Sequence, residues 1–105
     1  MIELKNKKVN LFGTEWQIRF EDKLMDPAGD HDIFGNTYRG ANNVIAIAKT
    51  IDGVPVPKAE LELTLLHEIM HAIFITGQYH NSNNDEPLVE WCARCLKQLI
   101  DKKII

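Results

Sequence analysis

The chain has 105 residues, 45% of them apolar and 26% charged, with a formal net charge of -3. That length and balance suit one globular domain, residues 1–105, with a modest core of its own. The acidic balance gives no electrostatic footprint for nucleic acid, and no apolar run reaches the length of a membrane span.

Residues 2–20 read as extended. Val9 and Leu11, then Trp16, Ile18 and Phe20, alternate with polar residues at the period of half-buried strands. Gly13-Thr14 between the two runs predicts a tight hairpin. Lys5, Lys7 and Lys8 read as the solvated end of that hairpin. Asp26-Pro27-Ala28-Gly29-Asp30 is turn chemistry. It opens a polar stretch reaching Asn43, expected to be a long loop with a short strand near Phe34 to Arg39. Asp30-His31-Asp32 within it contains metal-ligand residue types, but its spacing is diagnostic of no metal and a solvated loop is the simpler expectation. Val44-Ile45-Ala46-Ile47-Ala48 is short, apolar and rich in branched residues, which predicts a strand, buried or at an edge. Asp52-Gly53, Pro55 and Pro57 interrupt regular structure.

A helix is expected from Pro57 or Lys58, since proline suits a first helical turn, to a stop at Gly77. Gln78 to Asn84 is polar and reads as a loop. A last helix opens near Asp85 or Glu86 and runs to about Lys103. Its apolar stripe is read as Leu88, Cys92, Cys95 and Leu99, with Val89, Leu96 and Ile100 beside it. Cys92 and Cys95 lie inside this helical pattern rather than at a helix start after a strand, so they are expected to pack as small hydrophobes, not to form a redox pair. Strands cluster before residue 50 and helices after 57, the order of an α+β domain. A small, mostly antiparallel sheet packed on two main helices follows.

The first helix carries His67-Glu68-Ile69-Met70-His71, the pattern H-E-x-x-H. Residues four apart lie one turn apart on one helix face, so His67 and His71 can aim two imidazole nitrogens at one metal ion. Glu68 can reach a water on that metal. Two nitrogen ligands, an open position and a carboxylate base are the parts of a zinc hydrolase site. By average residue usage the pattern arises by chance in a chain this short on the order of once in several hundred. A metal site is therefore favoured over two hydrogen-bonded core histidines.

A catalytic zinc usually has three protein ligands. Glu86 and Glu90 lie four apart on the last helix, off its apolar stripe. Taken alone they would be carboxylates favoured near a helix N-terminus. Beside the histidine pair they are candidate ligands, and His80 in the loop is a further one. Pro87 pushes Glu86 to the helix cap and leaves Glu90 a full turn inside.

A helix with H-E-x-x-H, followed after a loop by a helix carrying a glutamate ligand, resembles the gluzincin metallopeptidases. The stretch Thr64-Leu65-Leu66-His67-Glu68-Ile69-Met70-His71-Ala72-Ile73-Phe74 is similar to the active-site helix of their smallest members, the minigluzincin-like metallopeptidases common in phages and mobile elements. On the second helix Glu86, Val89, Glu90 and Ala93 fit the family's pattern better than a series begun at Glu90. The resemblance is good from about residue 44 to 100 and weak before that. It implies a minimal zincin-like fold with a strand beside the active-site helix, for which Val44 to Ala48 is the candidate. It also implies zinc on His67, His71 and Glu86, with Glu90 accepting from a histidine ring or serving as the alternative ligand.

The activity so implied is zinc-dependent hydrolysis of peptide bonds in a peptide or protein substrate. Glu68 is the general base, and Tyr79 or His80 are candidates to stabilise the oxyanion. If Val44 to Ala48 were an edge, it could hold the peptide as an added strand. The alternative is a non-catalytic zinc-containing binding or regulatory module of the same fold, against which the presence of Glu68 argues. The N-terminus lacks an apolar signal-peptide core, so the expected compartment is the cytoplasm, a host's cytoplasm if the chain is phage-encoded.

Overall fold

The computed structural model describes residues 2–105. It is an α+β fold. The strands are β1 (Lys7–Leu11), β2 (Thr14–Glu21), β3 (Gly35–Arg39), β4 (Asn43–Ala48), β5 (Thr50–Ile51) and β6 (Val54–Pro55). The helices are α1 (Lys58–Thr76), α2 (His80–Asn83) and α3 (Glu86–Asp101). The main sheet has the order β1-β2-β4-β3. β1 pairs with β2 and β3 with β4 antiparallel, while β2 and β4 are parallel.

The hairpin expected at Gly13-Thr14 turns one residue earlier. Phe12 and Gly13 have φ of 49° and 87°, and Thr14 pairs with Leu11. Positive φ at both central residues matches the strand twist, which is why the turn sits there although Phe12 has a side chain. Asp52-Gly53 does the same between β5 and β6, so it makes a second small hairpin rather than a simple break.

Val44 to Ala48 is a strand, as its sequence implies, but it is not an edge. β4 is flanked on both sides, and all five residues are buried. Coverage of both faces gives the continuous apolar run, whereas pairing along both edges involves backbone groups and leaves no mark in the side chains. The edges are β1 and β3; β3, with the polar sequence Gly-Asn-Thr-Tyr-Arg, is the short strand expected near Phe34 to Arg39.

One face of the sheet presents Trp16, Ile18, Ile45 and Ile47 to Leu65 and Ala72 of α1. Trp16 is fully buried, and its indole N–H donates to Thr76 Oγ1 at 3.0 Å, tying β2 to the last turn of α1. On α3 the buried positions are Val89 and Ala93, with Leu96 and Ile100 packed on Leu63 and Leu66 of α1. The stripe is thus centred one residue beyond the expected one. Cys92 and Cys95 are free thiols on its half-buried flank. Ala93 allows the two helices to approach closely, which a larger residue at the centre would prevent.

α1 ends at Gly77 as expected, for a different reason. Gly77 is right-handed, and Gln78 takes the left-handed position with φ of 63°. A Cβ on Gly77 would lie 2.9 Å from the Tyr79 ring. The expected loop over residues 78–84 contains the short helix α2, whose start is tied back by Tyr79 N–H donating to the Phe74 carbonyl. No helix among the described residues is long and apolar enough to cross a membrane.

Ala72 is fully buried where α1 meets the sheet, while Ile73 beside it is 40% exposed. Ala72→Leu is expected to cost about 1–3 kcal/mol of stability by overpacking, and Ile73→Leu to stay within about 0.5 kcal/mol. Urea denaturation of the two variants checks the difference.

Candidate metal centre

α1 displays His67 and His71 one turn apart, with ring centroids 5.0 Å apart and planes at 66°. α3 crosses the same place with its first turn. Asp85 caps that helix by accepting from Leu88 N–H at 3.1 Å. Pro87 follows in the first turn, where a missing N–H costs nothing. The cap therefore aims Glu86 rather than disordering it. His67 Nε2 lies 3.1 Å from Glu86 Oε2, and His71 Nε2 lies 3.0 Å from Glu86 Oε1. One donor atom from each of the three residues falls within 4.8 Å of the others.

The second nitrogen of each ring is also engaged. His67 Nδ1 is 2.9 Å from Glu90 Oε1, and Glu90 Oε2 is 2.7 Å from Arg94 Nη2. His71 Nδ1 is 2.8 Å from Asn83 Oδ1. These oxygens only accept, so a neutral ring that makes this bond carries its proton on Nδ1 and donates it. In the neutral ring the Nε2 lone pair then faces the Glu86 carboxylate. Three sets of lone pairs converge on one point, an arrangement that needs positive charge among them. Neutral imidazole nitrogens and a carboxylate are the ligand types that zinc takes, and the donated Nδ1–H bonds are the usual outer support of such ligands. The residues present therefore fit a metal ion that takes imidazole and carboxylate ligands, zinc among them.

Glu68 is the buried charged side chain of the described residues, at 7% exposure. The Thr37 hydroxyl lies 2.7 Å from Glu68 Oε1 and 3.0 Å from its backbone oxygen. Burial pushes the Glu68 carboxyl above the ordinary glutamate range. The Thr37 hydrogen bond and the two imidazoles pull it down, and the Glu86 carboxylate pushes it up. Two residues before Thr37 on the same strand is Gly35. A Cβ there would meet Glu68 Cγ and Thr64 Cγ2, each at 2.9 Å. Edge strand β3 and helix α1 can pack this closely only over a glycine.

These side chains line an open cleft of about 470 Å3 between β3, α1, α2 and the start of α3, with Asn36 and Ile75 on its walls. The structure thus gathers His67, Glu68, His71, Glu86 and Glu90, the candidates read from sequence. His80 and Tyr79 are exposed and do not line this cleft, so the ligand and oxyanion roles considered for them find no geometry. Asp30, His31 and Asp32 serve the loop instead: Asp26 Oδ1 accepts from Asp30 and His31 N–H, and Asp32 Oδ2 accepts from Asp52 N–H at 2.9 Å. Sequence reading missed Gly35, Thr37 and Asn83. The three lie outside the two helices that carry the pattern, and nothing local marks them.

Searches of protein-family models, curated protein sequences and solved structures with this chain return no match.

Gly35→Ala is expected to destabilise the fold by about 1–3 kcal/mol, because the new methyl must displace Glu68 or the strand. Gly40→Ala is the control, since a Cβ there meets only the Asn42 carbonyl, at 3.9 Å. Thermal unfolding of both variants checks this.

Proposed function

We propose that this chain is a zinc-dependent peptidase of the gluzincin type. The observation that carries this reading is the convergence of His67 Nε2 and His71 Nε2 on the Glu86 carboxylate, with an acceptor oxygen at each Nδ1 and a buried carboxylate alongside. His67, His71 and Glu86 would hold the zinc. When bound, zinc would supply a Lewis acid that polarises the scissile carbonyl and acidifies the attacking water.

The remaining steps belong to the chain's own groups. Glu68 takes the proton of the attacking water and passes it to the leaving amine. Burial raises its proton affinity, the direction that strengthens a carboxylate as a base. The Thr37 hydroxyl holds Oε1 and leaves Oε2 to carry the proton. Glu90 and Asn83 keep the two rings in the tautomer that offers Nε2 inward. β3 is the edge of the sheet beside the cleft, and its outward N–H and C=O groups suit an extended peptide laid alongside as an added strand. That role replaces the one considered for Val44 to Ala48, which is paired on both sides.

Two measurements test the reading. In a zinc competition titration, Glu86→Ala is expected to weaken binding more than Glu90→Ala, whose loss should be about 10- to 100-fold. The reverse order would make Glu90 the ligand. Glu68→Gln keeps shape but cannot take a proton. It is expected to retain zinc while peptide cleavage, followed by mass spectrometry of new termini in peptide pools, falls by about 10² or more. Loss of zinc in Glu68→Gln would make Glu68 structural. A zinc-loaded wild type that cuts no pool would leave the non-catalytic binding module as the better reading.

A further inference from the structure

The cleft does not end at His67. A second hollow of about 260 Å3 opens beyond it and shares Gly35, His67 and Glu68 with the first. Its own walls include Phe34 ahead of β3, Glu60 and Leu63 in the first turns of α1, and Arg94 on α3. Phe34 is 49% exposed, a large apolar face open to solvent. Arg94 is engaged through its 2.7 Å contact with Glu90, which in turn accepts from His67. Glu60 is different: among the described residues no ion pair engages it.

We propose that this hollow is a subsite for a lysine or arginine side chain of the substrate, with Glu60 setting the preference and Phe34 providing the surface on which the side chain lies. The link to cleavage rests on the peptidase reading above; the side-chain site itself does not require turnover. A long cationic side chain has an aliphatic stem that covers apolar surface and a head that seeks a carboxylate or an aromatic face. Leu63 and Phe34 meet the stem, and Glu60 meets the head. An acidic side chain would face Glu60, Glu68 and Glu90. Only Arg94 would attract it, and Arg94 would first have to leave Glu90. A short apolar side chain would leave the Glu60 carboxylate unused.

The test separates the subsite from the chemistry. Fluorescein-labelled octapeptide pools, random except for one central Lys, norleucine or Glu, are titrated against zinc-loaded Glu68→Gln. The Lys pool is expected to bind about five- to tenfold tighter than the norleucine pool, the sum of an exposed ion pair and an aromatic contact. Adding Glu60→Gln, at an exposed helix position, should bring the two pools together, and adding Phe34→Ala should narrow the gap. Equal binding of the Lys and norleucine pools, or a Lys preference that survives Glu60→Gln, overturns the subsite. Cleavage of the unlabelled pools by wild type decides the peptidase reading separately. Cutting without a basic residue at a fixed position from the broken bond sinks the subsite alone. A Glu60-dependent Lys preference with no cutting sinks the peptidase and keeps the basic-peptide site.

Discussion

Two imidazole nitrogens and a carboxylate meet at one point, and that meeting requires α1 and the first turn of α3 to lie side by side. The histidines come from one turn of α1, but the carboxylate must come from elsewhere in the chain. Asp85 caps α3 so that its first residue, Glu86, faces His67 and His71. Facing lone pairs repel unless a cation or protons lie between them. Each Nδ1 has its own acceptor oxygen, from Glu90 for His67 and Asn83 for His71, so a neutral ring donating there turns its Nε2 lone pair inward. The packing behind the site, Ala93, Leu96 and Ile100 against Leu63 and Leu66, holds the two helices at that distance.

The second constraint is the contact between the sheet edge and α1. Glu68 points toward β3, not toward bulk water, and β3 receives it with a glycine and a hydroxyl. Gly35 removes the side chain that would collide with Glu68, and Thr37 supplies a donor to a carboxylate that is otherwise costly to bury. One short strand thus positions Glu68, lines the cleft and leaves its other edge free. A buried interior strand such as β4 could not do all three, because both its edges are already spent on pairing.

The charges around the centre form a chain rather than a cluster. Arg94 holds Glu90, Glu90 holds His67, and His67 faces Glu86. Charge-assisted contacts of this kind fix ring orientation better than a single neutral hydrogen bond. The same chain engages Arg94 with Glu90, so the one cation lining the adjoining hollow among the described residues is already paired.

The sequence by itself determined the parts whose rules are local. The i, i+4 spacing of His67 and His71 puts both on one helix face whatever the helix packs against. The order of strands and helices made the α+β class legible. Gly77, Pro57 and the Asp85-Glu86-Pro87 segment mark helix ends through backbone chemistry that acts within a few residues. Tertiary structure decided the rest. The apolar run of β4 reads the same as an interior or an edge strand until its neighbours are known, and the short strand legible near Phe34 to Arg39 gives no sign that it is an edge beside α1. The α3 stripe could be placed only to within a residue, because its flanking apolar positions leave the centre to the partner helix. Gly35, Thr37 and Asn83 are ordinary residues in sequence. Their roles come from what lies within about 3 Å of them across 31, 33 or 12 residues of chain, and contacts at that separation leave no periodicity to read.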